Sequence, residues 1–559
     1  MSNRTARRAL VGGALAASLT AGTVAASVEA GPAVERTAAE RTVAERAAAG
    51  ASARLPLGPA TLTETRTSRQ VAAGVTHIAI ERGRRWAGDF WTITVGVGTT
   101  EAEVARLEDK VRAAGYQPRR EATAGPDPRG PRSRPLGWLV RVGRYTDESA
   151  AGRARTEMIS RGLTAVVHHT DEDGHPTTGP WSVDVLVIDP ARFRGRLRSE
   201  LANGIVPGRE TTSSTARRTG ALAAVNGGFF VIPSGRTTPG PWLAGTDGDL
   251  AGISVVGGRL VSEAVGDRPA LVVPSDSGRG TAVRRLRTRL SVRAMDGTTR
   301  QVTGLNRQAG LIVNCGGVGT ATPFSRPAQE YTCGNANELI AFDQKFGTTA
   351  PEGTGRQATL DADGRVTAVQ DSRGGPVPAR GTVLQGTGTG AQWLRDHARV
   401  GAVLSVHRAV VDADTGEQLS LTSRTSVVNG APLLLRDGLL ALDPVRDGWS
   451  PEDIGDVDRA ALYNAWYLRR APRTAAGVTK DGRIVLLTVD GRRLGHSAGL
   501  TVPETAMVMR SLGAVDAVNL DGGGSTTMVV KNALQGTPSD RTGERPDGDA
   551  LVLLPPAAG

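Results

Sequence analysis

The feature that most constrains the fold of this chain is a short apolar run, residues 514–520, which ends in Asp521 and three glycines. The run predicts a buried strand, and glycine lets the backbone beyond it approach a ligand closely or adopt positive φ angles. A carboxylate at a strand end, beside bare amides and hydroxyls, is typical of a polar pocket on a rigid base. A glycine-rich hairpin turn with an incidental aspartate is the alternative. A nucleotide P-loop is excluded, since no Gly-Lys-Ser/Thr follows.

Short apolar runs of this kind, separated by Gly, Asp and Pro, recur along the 559-residue chain. They predict a β-rich α+β protein of two or three domains. The clearest helical patterns are residues 194–202 and 503–512. The net charge of +11 is spread along the chain and not concentrated in one block, so no nucleic-acid partner is predicted.

The N-terminus has the pattern of a processing signal. Arg4, Arg7 and Arg8 precede a stretch of small and apolar residues, 9–26. This predicts a signal peptide over residues 1–30, exported by the general secretory or the twin-arginine route, and a secreted or cell-wall-associated protein. Residues 31–58, rich in Ala, Glu, Arg and Thr, predict a mobile linker. No later run approaches 18 apolar residues, so no stable membrane span is predicted.

The two cysteines, Cys315 and Cys333, fit an exported protein. They lie in a segment rich in Gly, Pro and Thr. A disulfide between them would close a loop and stabilise the fold by ~3 kcal/mol in the chain-entropy model. Two buried free thiols are the alternative. A zinc site is not predicted, because the histidines show no matching spacing.

An internal duplication lies within residues 88–172. The segments 91–96 and 138–143 share a Trp-x-x-x-Val-Gly pattern, and a helical pattern ending at a glycine follows each, at Gly115 and Gly162. The repeat of strand, helix and strand resembles the SPOR domain, which implies binding of peptidoglycan glycan strands. A ferredoxin-like fold without a glycan role is the alternative.

The strand patterns at 71–80 and 181–189 flank this repeat. If these two strands pair in one sheet, the repeat is an insertion within a larger domain. Residues 59–87 would then supply the first strands of that domain, which resumes at residue 178 and runs to residue 557.

Polar clusters end several apolar runs of the larger domain. They are Asn226-Gly-Gly-Phe-Phe, Asn429-Gly-Ala-Pro, Arg473-Thr-Ala with Gly477, Asp490-Gly, Gly499-Leu-Thr with Glu504, and Asn519-Leu-Asp-Gly-Gly-Gly-Ser. In combination these motifs resemble the phosphodiester glycosidases, the family of N-acetylglucosamine-1-phosphodiester α-N-acetylglucosaminidase. Bacterial members often carry His before the Pro-Arg-Thr, and here that position is Ala471, so a role for such a His cannot be transferred.

The resemblance implies hydrolysis of the bond between an anomeric carbon and a phosphodiester. Such a site needs a cation for the phosphate, carboxylates near the anomeric centre, and groups that hold hydroxyls. The catalytic candidates are Asp521, as nucleophile, general base or oxocarbenium stabiliser, with Asp490 and Glu504. Arg473 is the candidate phosphate clamp, because a guanidinium forms a bidentate fork. The remaining substrate-binding candidates are Asn226, Gly227, Asn429, Thr474, Asn519, Gly522, Gly523 and Ser525.

Each candidate has a structural alternative. Arg473 could form an ordinary strand-end salt bridge, and Val-Asp490-Gly is also a common hairpin turn. Thr501 and Glu504 fit a capping box, which is the favoured interpretation of Glu504. The three asparagines could make turns themselves. His407 and His496 are the histidines to keep in view.

No cofactor is predicted. A calcium ion held by Asp361, Asp363, Asp490 and Asp521 is the alternative, although no EF-hand-like spacing is present. A non-catalytic envelope protein that only binds phosphoglycan or peptidoglycan is the competing interpretation of the whole chain.

Overall fold

The computed structural model describes residues 54–125, 135–232, 246–309, 311–313, 322–323, 332–444, 446–447 and 460–556. The predicted signal peptide lies outside these residues, as does Cys315 of the predicted disulfide. No described helix is long and apolar enough to span a membrane.

An eight-stranded sheet, called here the main sheet, organises the described residues. Its strands are paired antiparallel throughout. In spatial order they are Glu64–Ala72, Val75–Arg82, Trp181–Ile188, Ile484–Val489, Arg473–Thr479, Ala514–Asn519, Leu433–Arg436 and Leu439–Leu440. Residues that alternate along the strands fill two separate cores, so the main sheet is covered on both faces.

The helix Val502–Ser511 lies on one face of the main sheet. On the other face pack strands of a five-stranded sheet, whose order is Ala533–Gln535, Met528–Val530, Ala223–Asn226, Asp549–Leu554 and Arg196–Leu201. Strands of a seven-stranded sheet share that core. This third sheet contains Arg259–Ser262, Ser254–Val256, Ser426–Asn429, Pro269–Val273, Ala282–Arg293, Thr299–Gln301 and Ser405–Asp412.

Smaller sheets and helices complete the larger domain. A second five-stranded sheet contains Gly304–Leu305, Leu339–Phe342, Thr382–Gly386, Thr349–Leu360 and Val366–Pro376. A three-stranded sheet contains Leu311–Val313, Thr332–Gly334 and Thr322–Pro323. A two-stranded sheet contains Pro546–Asp547 and Glu210–Thr211. The further α-helices are Thr212–Thr219 and Gly388–His397, the 3-10 turns Thr170–Glu172, Ala202–Gly204 and Gly523–Ser525, and a π-helical segment Tyr463–Leu468. The fold of the described chain is therefore α+β and rich in strands.

The duplicated segment forms its own four-stranded sheet, called here the insert. Its strands are Arg119–Ala122, Trp138–Tyr145, Trp91–Gly98 and Val166–His169, and its helices are Glu101–Ala113 and Glu148–Ser160. Both helices begin at side-chain caps, Thr100 and Asp147, and Gly115 and Gly162 follow their ends with positive φ angles. Strands Val75–Arg82 and Trp181–Ile188 pair in the main sheet, so the insert lies between two adjacent strands of that sheet.

The insert is fastened to the larger domain through Arg470. The guanidinium donates to the carbonyls of Asp171 and His175, at 3.0 and 2.9 Å, and to that of Asp173. It also pairs with the carboxylate of Glu504 at 2.6 Å. One buried cation therefore ties the end of the insert to the helix Val502–Ser511.

Three expectations from the sequence need correction. Residues 196–201 form a strand and not a helix, because every second side chain is buried and the segment pairs with Asp549–Leu554. Residues 71–80 belong to two strands, because Gly74 makes a turn with φ 76°. The last residues of the predicted linker are ordered: Leu55 and Leu57 are 1% exposed in the main core, and the Leu57 carbonyl accepts from Arg82 at 2.7 Å.

Candidate functional site

The strand Ala514–Asn519 and the glycines behind it form the turn that the sequence singled out. Residues 522–525 are called here the glycine turn. The Leu520 amide donates to the Thr474 carbonyl at 2.9 Å, and the Gly523 amide donates to the Pro472 carbonyl at 2.9 Å. Gly523 has φ 63°, in the left-handed region that favours glycine. A Cβ on Gly522 would stand 2.9 Å from the Pro472 carbonyl oxygen. The turn is glycine-rich because the neighbouring strand lies directly against it.

Asn226 joins this turn to the strand Ala223–Asn226. Its side-chain amide donates to the Asp521 carbonyl at 2.8 Å. Its oxygen accepts from the Thr474 hydroxyl at 2.7 Å and from the Thr527 amide at 3.1 Å. Asn226 and Thr474 are fully buried. Their side chains therefore hold protein groups in place in this structure, and the assignment of these two residues to substrate binding stays a prediction.

The other two asparagines act in the same way. Asn429 accepts from the Phe229 amide at 2.9 Å. Asn519 donates to the carbonyls of Ala431 and Leu520 at 2.9 and 2.8 Å. The polar clusters thus meet in space as expected, but their amide side chains bind neighbouring backbone instead of facing outward.

Asp521 is the carboxyl group at the centre of this arrangement. Its Oδ1 accepts from the Gly522 amide at 2.8 Å, and its own amide donates to the Gly227 carbonyl at 3.2 Å. Burial raises the pKa of Asp521 to about 6, against the opposing effects of Ser525, the Gly522 amide and the Arg545 charge. A carboxyl with this pKa changes its protonation near neutral pH, which is typical of catalytic carboxyls.

Two further carboxyl groups, which the sequence did not indicate, interact electrostatically with Asp521. Burial raises the pKa of Asp549 to about 7, and the Asp521 charge adds to the shift. Burial also raises the pKa of Asp547 well above its ordinary value, again with a contribution from Asp521. Asp549 accepts from the Gly228 amide at 2.9 Å, and a Cβ on Gly227 would lie 2.1 Å from its Oδ1. The glycines after Asn226 therefore make room for a carboxyl group.

The guanidinium of Arg473, the arginine that the sequence favoured, does not lie at the glycine turn. Arg473 is 3% exposed and donates to the carbonyls of Leu500 and Trp466, at 2.9 and 2.7 Å, and to that of Arg469 at 3.2 Å. Burial lowers its pKa to about 9. Its backbone lies beside Gly522, but its guanidinium binds the carbonyls of the π-helical segment and its neighbours. The role of Arg473 as a phosphate clamp stays a prediction that these contacts do not favour.

Arg492 and Arg545 contact the glycine turn directly. The Arg492 Nη1 lies 3.4 Å from the position that a Cβ of Gly523 would occupy, and the Arg545 Nη2 lies 2.1 Å from that of Gly524. Both come from other loops of the larger domain, and at Gly524 only glycine leaves the space that the Arg545 guanidinium occupies. The sequence carried no signal for either beyond the charge itself.

Asp490 and Glu504, the other predicted carboxylates, have protein partners. Asp490 is 7% exposed, lies 2.6 Å from His496 Nε2 and accepts from the Thr537 amide at 2.7 Å. Burial raises its pKa, and these two bonds oppose the shift. Glu504 closes the capping box with Thr501 and binds Arg470, as the structural alternative predicted.

Several polar atoms around the turn are buried without a hydrogen-bond partner among the residues that the structure describes. They include Asn519 Oδ1, Thr526 Oγ1, Thr527 Oγ1 and Asp547 Oδ1. Buried polar atoms without partners are uncommon in proteins, and others lie elsewhere in this chain, among them Tyr116 Oη and Trp393 Nε1. The described side chains include no group of three or more His, Cys, Asp or Glu placed to hold a metal ion, so the four carboxylates considered for calcium do not converge.

Clustered carboxyls of raised pKa beside arginines define a polar site for an anionic ligand. A family model for phosphodiester glycosidases matches residues 354–554. The crystal structure of a Burkholderia pseudomallei K96243 protein, named as exported, is similar with a TM-score of 0.78 and 39% identity, over 90% of this chain and 98% of that chain.

Curated N-acetylglucosamine-1-phosphodiester alpha-N-acetylglucosaminidases are also similar to this chain. Those of Bos taurus and Mus musculus are 30% and 41% identical over 114 residues. These matches span 20% of this chain and only about a fifth of the relatives, 20% and 21% of their lengths. The chain belongs to the phosphodiester glycosidase family.

Proposed function

We propose that this protein is an exported hydrolase that cleaves sugar-1-phosphodiesters, of the α-GlcNAc-1-phosphodiester kind, in envelope or extracellular glycans. The observation that carries the proposal is the position of Asp521, a carboxyl with a pKa raised to about 6 on a turn that also contacts two arginines. Family membership supports it, and so do the names of the Bos taurus and Mus musculus relatives.

The reaction adds water to the anomeric carbon and breaks its bond to the phosphate oxygen. The bonding electrons leave with the phosphate, which departs as a phosphomonoester, and the sugar leaves as a free hemiacetal. Because this leaving group is a weak base, protonation of it contributes less than in an ordinary glycoside. Asp521 would act in its ionised form, whether it attacks C1, activates water or stabilises the oxocarbenium-like transition state.

Replacement of Asp521 tests this assignment. Asp521→Asn should reduce release of sugar from the methyl phosphodiester of α-GlcNAc-1-phosphate by ~10³-fold or more, as expected when a reacting carboxylate is lost. Asp516→Asn is the matched control, because Asp516 lies on the strand that precedes Asp521, is half-buried, and accepts from the Asp437 amide at 3.2 Å. Equal turnover in both variants would remove Asp521 from the mechanism. Tight binding of the diester without product in the wild type would favour the non-catalytic phosphoglycan-binding alternative.

We further propose that the insert is a SPOR-like module that binds peptidoglycan. Its surface offers Phe90 with two arginines over the ring, Arg144 at 4.3 Å and Arg119 at 5.3 Å from the centroid. Because Val97, Leu136 and Leu139 pack into the main core, deleting the insert would unfold its neighbours, and surface substitutions are the better test.

The double variant Phe90→Ala with Arg144→Ala should lose pelleting with cell-wall sacculi while hydrolysing the methyl diester at the wild-type rate. Arg153→Ala, on an exposed helical position of the insert, is the control. Pelleting that survives the double variant would contradict a glycan role for this surface.

Export is supported by the N-terminal pattern and by the Burkholderia pseudomallei relative that is named as exported. Expression of the full chain in its own host with a C-terminal tag should place the protein outside the cytoplasm. Retention of the uncleaved chain inside the cell would contradict it.

A further inference from the structure

Arg492 is an arginine at the glycine turn that no described carboxylate engages. Its guanidinium lies against Gly523, two residues from Asp521. Its backbone has φ 54°, a left-handed conformation that non-glycine residues rarely adopt. Such a conformation at a residue with a long charged side chain concentrates at functional sites.

Arg545 and Arg469, whose charges act on Arg492, each have a carboxylate partner. Arg545 donates to both oxygens of Asp540, at 2.8 and 3.0 Å, and Arg469 pairs with Glu172 of the insert. Burial lowers the pKa of Arg492, and the nearby charges of Arg469 and Arg545 lower it further, against Glu172 and Asp540. The acidic groups near Arg492 are therefore already engaged by other cations.

Arg492 is therefore a cation beside the glycine turn that forms no ion pair within the described residues. A phosphodiester carries one negative charge that this guanidinium can bind, and a neutral glycoside carries none.

We propose that Arg492 binds the phosphoryl group and makes the site select singly charged phosphodiesters over neutral glycosides. The inference rests on the proposed function and extends it to the residue that recognises the leaving group. A guanidinium can donate two parallel hydrogen bonds to two phosphate oxygens, and a lysine cannot. Gly523 has φ 63°, a conformation that other residues rarely adopt, so glycine lets the turn lie against this guanidinium.

The test compares two substrates with the same sugar, the methyl phosphodiester of α-GlcNAc-1-phosphate and neutral 4-nitrophenyl α-GlcNAc. Hydrogen bonds to a charged group correspond to ~10- to 100-fold in affinity, so Arg492→Gln should raise KM for the diester by about this factor. KM for the neutral substrate should change less than ~2-fold. Arg492→Lys keeps the positive charge but cannot donate two parallel hydrogen bonds, so its KM for the diester should lie between those of the wild type and Arg492→Gln. Arg541→Gln, at an exposed position four residues before Arg545, controls for the loss of one positive charge.

Each outcome decides a separate point. Equal loss on both substrates, or an unchanged KM for the diester, would overturn the assignment of Arg492 while leaving the hydrolase intact. A wild-type protein that cleaves the neutral glycoside but not the diester would refute the proposed function itself. If Arg492→Gln fails to fold, Arg492→Lys is used instead. A ratio of KM for the diester to KM for the neutral substrate above that of the wild type supports the assignment, and an unchanged ratio overturns it.

Discussion

Asp549 provides a direct test of the buried carboxyl cluster through protein stability. It is 3% exposed, accepts from the Gly228 amide at 2.9 Å and from the Ser199 hydroxyl at 3.4 Å. Asparagine has nearly the same shape, and its oxygen can still accept from Gly228. Asp549→Asn therefore removes the ionisable group while keeping the packing.

The sign of the effect follows from the raised pKa. The pKa of Asp549 is about 7 in the folded protein against an ordinary value of 3.8, so the folded state binds the proton more tightly than the unfolded chain. The stabilising contribution is complete below pH ~3.8 and is lost as pH rises towards ~7, by up to ~4 kcal/mol for a shift of about 3 units at 1.36 kcal/mol each. Asparagine cannot ionise and escapes this loss.

The assay is chemical denaturation at pH 5 and pH 8. Between these values, the free energy of unfolding of the wild type should fall by ~3 kcal/mol relative to Asp549→Asn. Asp363→Asn, at an exposed turn position, should follow the wild type. Parallel pH profiles for the wild type and Asp549→Asn would refute the account of a carboxyl kept protonated by burial.

Three further outcomes are expected. The ionised form of Asp521 is the proposed reactive form, and its pKa is about 6. The kcat/KM for the diester should therefore fall tenfold per pH unit below pH ~6, and a flat profile from pH 5 to 7 would contradict this. Glu504→Ala removes both the capping-box bond to Thr501 and the partner of Arg470, and it should lower the free energy of unfolding by ~2–4 kcal/mol in denaturant unfolding. Glu504→Gln keeps the capping bond and should lower it less. Equal losses in the two variants would show that Glu504 does not serve both purposes. Gly227→Ala places a Cβ 2.1 Å from a carboxyl oxygen of the buried Asp549 and should lower Tm by several degrees. Gly152→Ala, with open space around the added Cβ, should not lower it. An unchanged Tm of Gly227→Ala would contradict the close packing of Asp549 against Gly227.

Local patterns in the sequence were sufficient where the structure is decided locally. The strand ending at Asn519, the capped helix Val502–Ser511 and the two insert helices follow from apolar periodicity, capping residues and glycines. The pattern misled at 194–202, because an alternating segment of mixed composition becomes a strand only when a partner, here Asp549–Leu554, is present beside it.

The amino-acid sequence by itself determined which segments meet and which turn bears the central carboxyl. Glycine allows close backbone approach at the turn whatever lies opposite, and this is why Asp521 could be selected in advance. Only the tertiary structure decided which polar side chains face the site. Asn226 and Arg473 bind neighbouring backbone, while Arg492 comes from a loop and Asp549 from the start of another strand. A side chain's hydrogen-bond partners depend on packing between separate segments, such as Asn226 against Asp521, and no local pattern encodes that.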